Sequence, residues 1–124
     1  MHRWITAAAI ASLALSGCSR EDGAAVSPET GAVSSEHAAE LYARHCALCH
    51  GERGDGQGPR HGSLFRKPRD FRDPVWREGR TAAQVRAAIR DGIPGTDMPS
   101  WRRLDDAEIA ALADHVLAFG ARRP

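Results

Sequence analysis

Residue types suited to metal binding and redox chemistry meet in five consecutive positions, Cys46-Ala47-Leu48-Cys49-His50. C-x-x-C-H is the attachment signature of a c-type haem. Two thiols that add across the two vinyl groups of one haem must project from neighbouring turns of one short segment. A His directly after them lies under the macrocycle, where a ring nitrogen can ligate iron. A bare C-x-x-C also serves as half of a tetrahedral zinc site or as a thioredoxin-like redox pair. Zinc would need two further ligands, and the chain has no second cysteine pair. The redox-pair reading needs a βαβ context that the flanks lack.

A second candidate ligand lies in Gly95-Thr96-Asp97-Met98-Pro99. Met98 is one of two methionines, and the other is Met1. Methionine is most often a flexible filler of cores. Here it sits in a loop punctuated by Gly and Pro rather than on a helix face. A thioether sulfur is soft and neutral, so as an iron ligand it favours Fe(II) and raises the reduction potential. His61 is a weaker candidate, better read as an exposed loop residue.

The segments around these residues must hold them, and they read as helices and loops. Ser34 or Ser35 can cap a helix that runs to Cys46 or Cys49, with Glu36 near the positive end of its dipole. Ala38, Leu41, Tyr42 and His45 share one face of it. Gly51, Gly54, Gly56 and Gly58 make a glycine-rich loop, but no Gly-Lys-Ser/Thr follows and no strand precedes, so it is not a phosphate cradle. Residues 60–80 show no period; Asp73-Pro74 reads as a cap and first position of a single helical turn. Thr81 with Gln84 forms a capping box for a helix over residues 81–91, which Gly92 stops. Asp105 and Glu108 cap a last helix whose Ile109, Leu112, Val116 and Phe119 recur at intervals of three and four, ending at Gly120.

Taken in this order, C-x-x-C-H, Gly58-Pro59, Met98-Pro99 and the C-terminal helix pattern resemble a small single-haem class I cytochrome c of the bacterial periplasmic kind, over about residues 34–120. The resemblance implies an all-α cytochrome c fold, three main helices plus a short one around one haem held covalently through Cys46 and Cys49. It implies His50 and Met98 as axial ligands and Trp101 packed near the ligand loop. It implies that the carbonyl of Pro59 accepts the ring N–H of His50, which would set the imidazole tautomer. Ala38 and Tyr42 match positions where the N- and C-terminal helices cross. The family more often has Gly at the first of these, so the crossing is expected to be slightly wider. The family usually has an aromatic where His115 stands, which leaves His115 or Phe119 to meet Tyr42.

Residues 4–15 are an apolar, alanine-rich run after Met1-His2-Arg3, too short for a permanent span and suited to a signal-peptide core. The run ends in Leu15-Ser16-Gly17-Cys18, which resembles a bacterial lipobox. The expected organisation is a lipoprotein signal peptide over 1–17, a flexible tether over 18–33 from lipidated Cys18, a haem domain over 34–120 and a tail over 121–124. An acyl anchor contributes about 0.8 kcal/mol per buried CH2 and holds the protein to a membrane without spanning it. All three cysteines are thereby used, and no disulfide framework is expected.

With 124 residues the chain holds one domain plus tails, and a core this small gains much from a large apolar cofactor. Formal charge is near balance at +1, but residues 60–90 carry nine basic and three acidic side chains. That excess can steer an acidic protein partner, or can be simply a solvated surface. No nucleic-acid motif accompanies it. The sequence thus predicts a monomeric, membrane-anchored periplasmic electron carrier, not an enzyme, exchanging electrons with redox partner proteins. Alternatives are a haem c subunit of a membrane oxidoreductase complex, or an open-site haem protein that senses a gas or reduces peroxide.

Overall fold

The computed structural model describes residues 31–121. The expected signal peptide, Cys18 and nearly all of the expected tether lie outside the described residues. Five α-helices and one 3-10 turn follow in order: α1 (Ser35–His45), α2 (Ala47–His50), the 3-10 turn (His61–Ser63), α3 (Pro74–Arg77), α4 (Ala82–Asp91) and α5 (Asp106–Ala118). The all-α expectation is met, with α1, α4 and α5 as the three main helices. Short helices number two rather than one. The helix is interrupted at Cys46, where φ is −115° and ψ −39°, and resumes as the single turn α2.

Each main helix begins where its capping chemistry dictates. Ser34 is extended and its side chain accepts from the His37 amide at 3.1 Å. Thr81 with Gln84, and Asp105 with Glu108, form reciprocal capping boxes. Each pair satisfies two backbone donors that would otherwise lack partners. Asp73 caps α3 through the Val75 amide at 2.9 Å, with Pro74 in the first turn.

α1 and α4 both pack against α5. The core at these contacts is apolar: Leu41 and Tyr42 from α1, Val85 and Ile89 from α4, and Ile109, Leu112, Ala113 and Val116 from α5. Ala38 and Ala113 are sealed, at 1% and 0% exposure, and small residues there let backbones approach. Full burial of a side chain such as Ile109 or Leu112 contributes about 1.5–3 kcal/mol. Tyr42 meets both His115, at 5.2 Å between ring centroids, and Phe119, at 4.9 Å, so both possible crossing contacts form together.

The glycine-rich loop closes over the end of α2. The carbonyls of Ala47, Leu48, Cys49 and His50 accept from the amides of Gly51, Arg60, Gly58 and Gly56 respectively. All four carbonyls of this one-turn helix are therefore partnered by the loop that follows it. Gly58 is required by proximity, since a Cβ there would lie 2.5 Å from the carbonyl oxygens of both Ala47 and Leu48. Phe71 returns to the same place through its amide bond to Gly54 O at 2.7 Å, and its ring joins the core.

Candidate functional site

α2 carries the attachment motif. Cys46 and Cys49 are both free thiols, one helical turn apart, with the Cys49 amide donating to Cys46 O at 3.1 Å. Burial pushes the Cys46 thiol up to about 12, with nearby Cys49 adding to the shift, so it remains protonated at neutral pH.

His50 ends α2 with its ring stacked on Phe71, 4.5 Å between centroids and 19° from parallel. Burial holds its pKa below the ordinary histidine value, opposed by a backbone contact from Arg69. Its Nδ1 lies 3.4 Å from Arg69 O. A carbonyl only accepts, so this long bond places the proton on Nδ1 and leaves the Nε2 lone pair for a metal. The family resemblance implied the carbonyl of Pro59 in this role; in this structure the carbonyl within reach of Nδ1 is that of Arg69. The physical cause is the return of residues 68–71 under His50, drawn in by the Phe71–Gly54 bond. Pro59 instead lies exposed in the turn that binds back to α2 through Gly58 and Arg60.

Met98 is half-buried and packs against the same core cluster as Cys46 and Trp101. Its loop leaves α4 at Gly92, whose φ is +71°. The expected left-handed cap is only partly realised: ψ is −174°, a conformation open to glycine. A Cβ at Gly92 would lie 2.8 Å from Met98 O.

Trp101 follows the loop, and its amide donates to the carbonyls of Ile89 and Arg90 at 3.1 and 3.2 Å. Its ring sits 4.8 Å from that of His45, with the Arg103 guanidinium 4.4 Å above it. Trp101 thereby links the ligand loop to the last residue of α1, beside Cys46. Burial depresses the His45 pKa, aided by Arg103 and Arg44.

Tyr42 reaches the residue that follows the motif. Its buried hydroxyl donates to Gly51 O at 2.7 Å, and burial, before nearby Cys46 and Asp55, raises its pKa far above the usual value. It is thus a neutral donor that anchors the residue after His50. His61 is exposed and its Nδ1 contacts Gly58 O at 2.8 Å.

Sequence reasoning did not assign Arg69, Phe71 or His45 to the site. Phe71 had one usable signal, a large aromatic in a polar stretch. The Arg69 carbonyl had none, because every residue has a carbonyl.

The residues present fit a covalently held haem. The donor set comprises two free thiols, an imidazole held by Nδ1 and a half-buried thioether. Apolar Leu48 and Ile93 are exposed in the segments that carry these donors, and Phe65, at 83%, is exposed in the loop bonded to Asp97 beside Met98. Among the described residues no cluster of three or more His, Cys, Asp or Glu side chains is placed to hold a metal ion.

Residues 34–116 match the family described as cytochrome c oxidase, cbb3-type, subunit III. Similar curated proteins include the cbb3-type cytochrome c oxidase subunit FixP of Azorhizobium caulinodans, 36% identical over 83 residues. Subunit CcoP of Azospirillum brasilense is 34% identical over 96 residues, and that of Rhodobacter capsulatus 30% over 89. These alignments cover 66%, 73% and 65% of this chain, but 26%, 30% and 28% of the relatives. The chain therefore matches under a third of each relative's length. Among solved structures, a chain of the Kuenenia stuttgartiensis reducing HAO-like protein complex Kustc0457/Kustc0458 aligns with a TM-score of 0.59 and 29% identity, over 76% of this chain and 47% of that one. With its helix order, its C-x-x-C-H turn and the match over residues 34–116, the chain belongs to the cbb3-type subunit III family and is a small c-type cytochrome of cytochrome c fold.

Proposed function

We propose that this chain is the electron-transfer module of a membrane oxidoreductase, carrying one haem c bonded to Cys46 and Cys49 and ligated by His50 and Met98. The observation that carries this reading is the α2 turn, which presents two free thiols and a neutral, backbone-oriented imidazole within a chain of this family. The bound haem would supply one-electron chemistry, Fe(III) to Fe(II) and back.

The chain's own residues set the conditions for that chemistry. Arg69 O fixes the tautomer of His50 and strengthens it as a donor. Phe71 and the helical core shield the His50 ring from water. The neutral thioether of Met98 would favour the reduced metal. His50 and Met98 would together hold the iron, and a haem held by two side chains would supply electron transfer rather than bond chemistry. Arg60, Arg66, Lys67 and Arg69 are exposed, and none enters an ion pair among the described residues. They would give the segment over 60–69 a positive field toward an acidic redox partner.

The subunit reading draws on the names of the curated relatives, each a subunit of a cbb3-type oxidase. The second reading, a monomeric free carrier held to a bacterial membrane in the periplasm, draws on the apolar run 4–15 and Leu15-Ser16-Gly17-Cys18. Among the described residues no helix is long and apolar enough to cross a membrane, so in either reading these residues need another element for attachment. Purification of the tagged, haem-loaded chain from detergent-solubilised membranes of its own host separates the two. Co-elution with a larger oxidoreductase, with the chain's haem reduced and reoxidised during turnover, is the expected result. Elution alone, with full electron exchange to a soluble partner, would replace it with the free-carrier reading.

A further inference from the structure

We propose that Thr96 and Asp97 are positioning residues that hold Met98 in place for iron, one from within the ligand loop and the other through the neighbouring loop. The inference rests on the reading of Met98 as an axial ligand.

A methionine side chain has three rotatable bonds and adapts to irregular spaces. Its sulfur is fixed only if the backbone beneath it is fixed. Met98 is not on a helix; its side chain packs against the core cluster, but Pro94, Gly95, Asp97 and Pro99 around it are exposed, so apolar packing of its neighbours does not supply the constraint on the loop backbone. Hydrogen bonds do. The Ile93 amide donates to Met98 O at 3.2 Å, closing the ends of the loop on each other. Inside that closure the Thr96 hydroxyl donates to Ile93 O at 2.7 Å and accepts from the Met98 amide at 3.2 Å. One oxygen thus bridges the start of the loop to the ligand itself. A hydroxyl both donates and accepts, whereas the isosteric valine does neither.

Asp97 acts outward. Its Oδ2 accepts from the Phe65 amide at 2.7 Å, across 32 residues of sequence. The bond joins the loop that carries exposed Phe65 and the basic residues Arg66 and Lys67 to the residue next to Met98. The two adjacent side chains therefore hold the Met98 backbone from two directions.

The test uses the full chain matured with covalent haem, titrated with imidazole in the ferric state. The readout is the weak sulfur-to-iron band at the red edge of the spectrum, which disappears when Met98 is displaced. Thr96→Val is expected to bind imidazole about tenfold more tightly than the parent, as loss of two neutral hydrogen bonds implies. Thr96→Ser, which keeps the hydroxyl, is expected to match the parent. Asp97→Ala should tighten imidazole binding about threefold. Asp97→Asn, whose amide oxygen still accepts, should restore the parent value. Parent-like titration by both Thr96→Val and Asp97→Ala overturns the proposal. So does a Thr96→Val protein that melts earlier but titrates unchanged, since that is a purely structural effect. A parent protein with no such band, titrating like Met98→Ala, overturns the reading of Met98 itself and this proposal with it.

Discussion

The α1–α5 crossing and the loop over residues 92–101 are held in place by opposite means. At the crossing, Ile109, Leu112 and Ala113 are almost wholly removed from water, and Tyr42, His115 and Phe119 fill the junction with rings. Apolar packing is non-directional and shared among many contacts. In the loop, position depends on a few directional bonds: Ile93 to Met98, Thr96 to both, and Asp97 to Phe65. The crossing supplies stability; in the proposed function the loop supplies one atom, the Met98 sulfur, at one place. A substitution in the first region should lower stability; one in the second should disturb the ligand first.

The contrast is broken most severely by Ile109→Ala. It should cost about 2–5 kcal/mol of unfolding free energy in denaturant titration, through a cavity beneath α1 and α4. The haem spectrum of the protein that remains folded should be unchanged. A variant that lost the red-edge band while keeping its stability would invert the assignment of roles.

Gly92→Ala belongs to both regions, because Gly92 ends α4 and touches the ligand loop. Its positive φ and the approach of Met98 O predict a loss of about 1–3 kcal/mol. Unlike Ile109→Ala, it should also weaken the red-edge band. Unchanged thermal melting would show that the close approach at Gly92 relaxes freely.

A rate measurement sharpens the comparison without touching either region. If the exposed cations Arg60, Arg66, Lys67 and Arg69 steer the partner, the second-order rate of electron exchange should fall about tenfold between low and physiological ionic strength. Replacing these cations with glutamine should flatten that dependence. A rate insensitive to salt would leave them as solvated surface.

Which parts were legible in the sequence follows the same division. Capping residues Ser34, Thr81 with Gln84, and Asp105 with Glu108 were legible because their signal is local, a side chain and an amide three positions on. The period of Ile109, Leu112 and Val116 pointed to the core face of α5 for the same reason. His115 left two crossing contacts open, and the structure contains both. The second bond of His50 was not legible. Whether Pro59 or Arg69 offers the carbonyl depends on where an aperiodic loop returns, and that depends on Phe71 reaching Gly54. The Asp97–Phe65 bond spans two such loops and leaves no pattern in either.

The smallest expected effect concerns His45, at the junction of α1 with Trp101. Its pKa is depressed in the folded state, so the unfolded chain takes up the proton more readily. Stability contributed by the neutral ring is present above the ordinary value of 6.5 and is lost as pH falls through it toward the folded-state pKa. His45→Gln should reduce that acid-side loss slightly, read as the pH dependence of the melting temperature. An unchanged pH profile would show that His45 takes no part in it.

The central claim, that this chain passes electrons through a haem closed by His50 and Met98, is tested most directly by absorption spectra of the haem-loaded protein, oxidised and reduced, with and without carbon monoxide. The account predicts a sulfur-to-iron band in the oxidised form and a low-spin reduced spectrum unchanged by carbon monoxide. A high-spin spectrum that shifts when carbon monoxide is added would contradict it, and would identify an open iron suited to gas sensing or peroxide reduction.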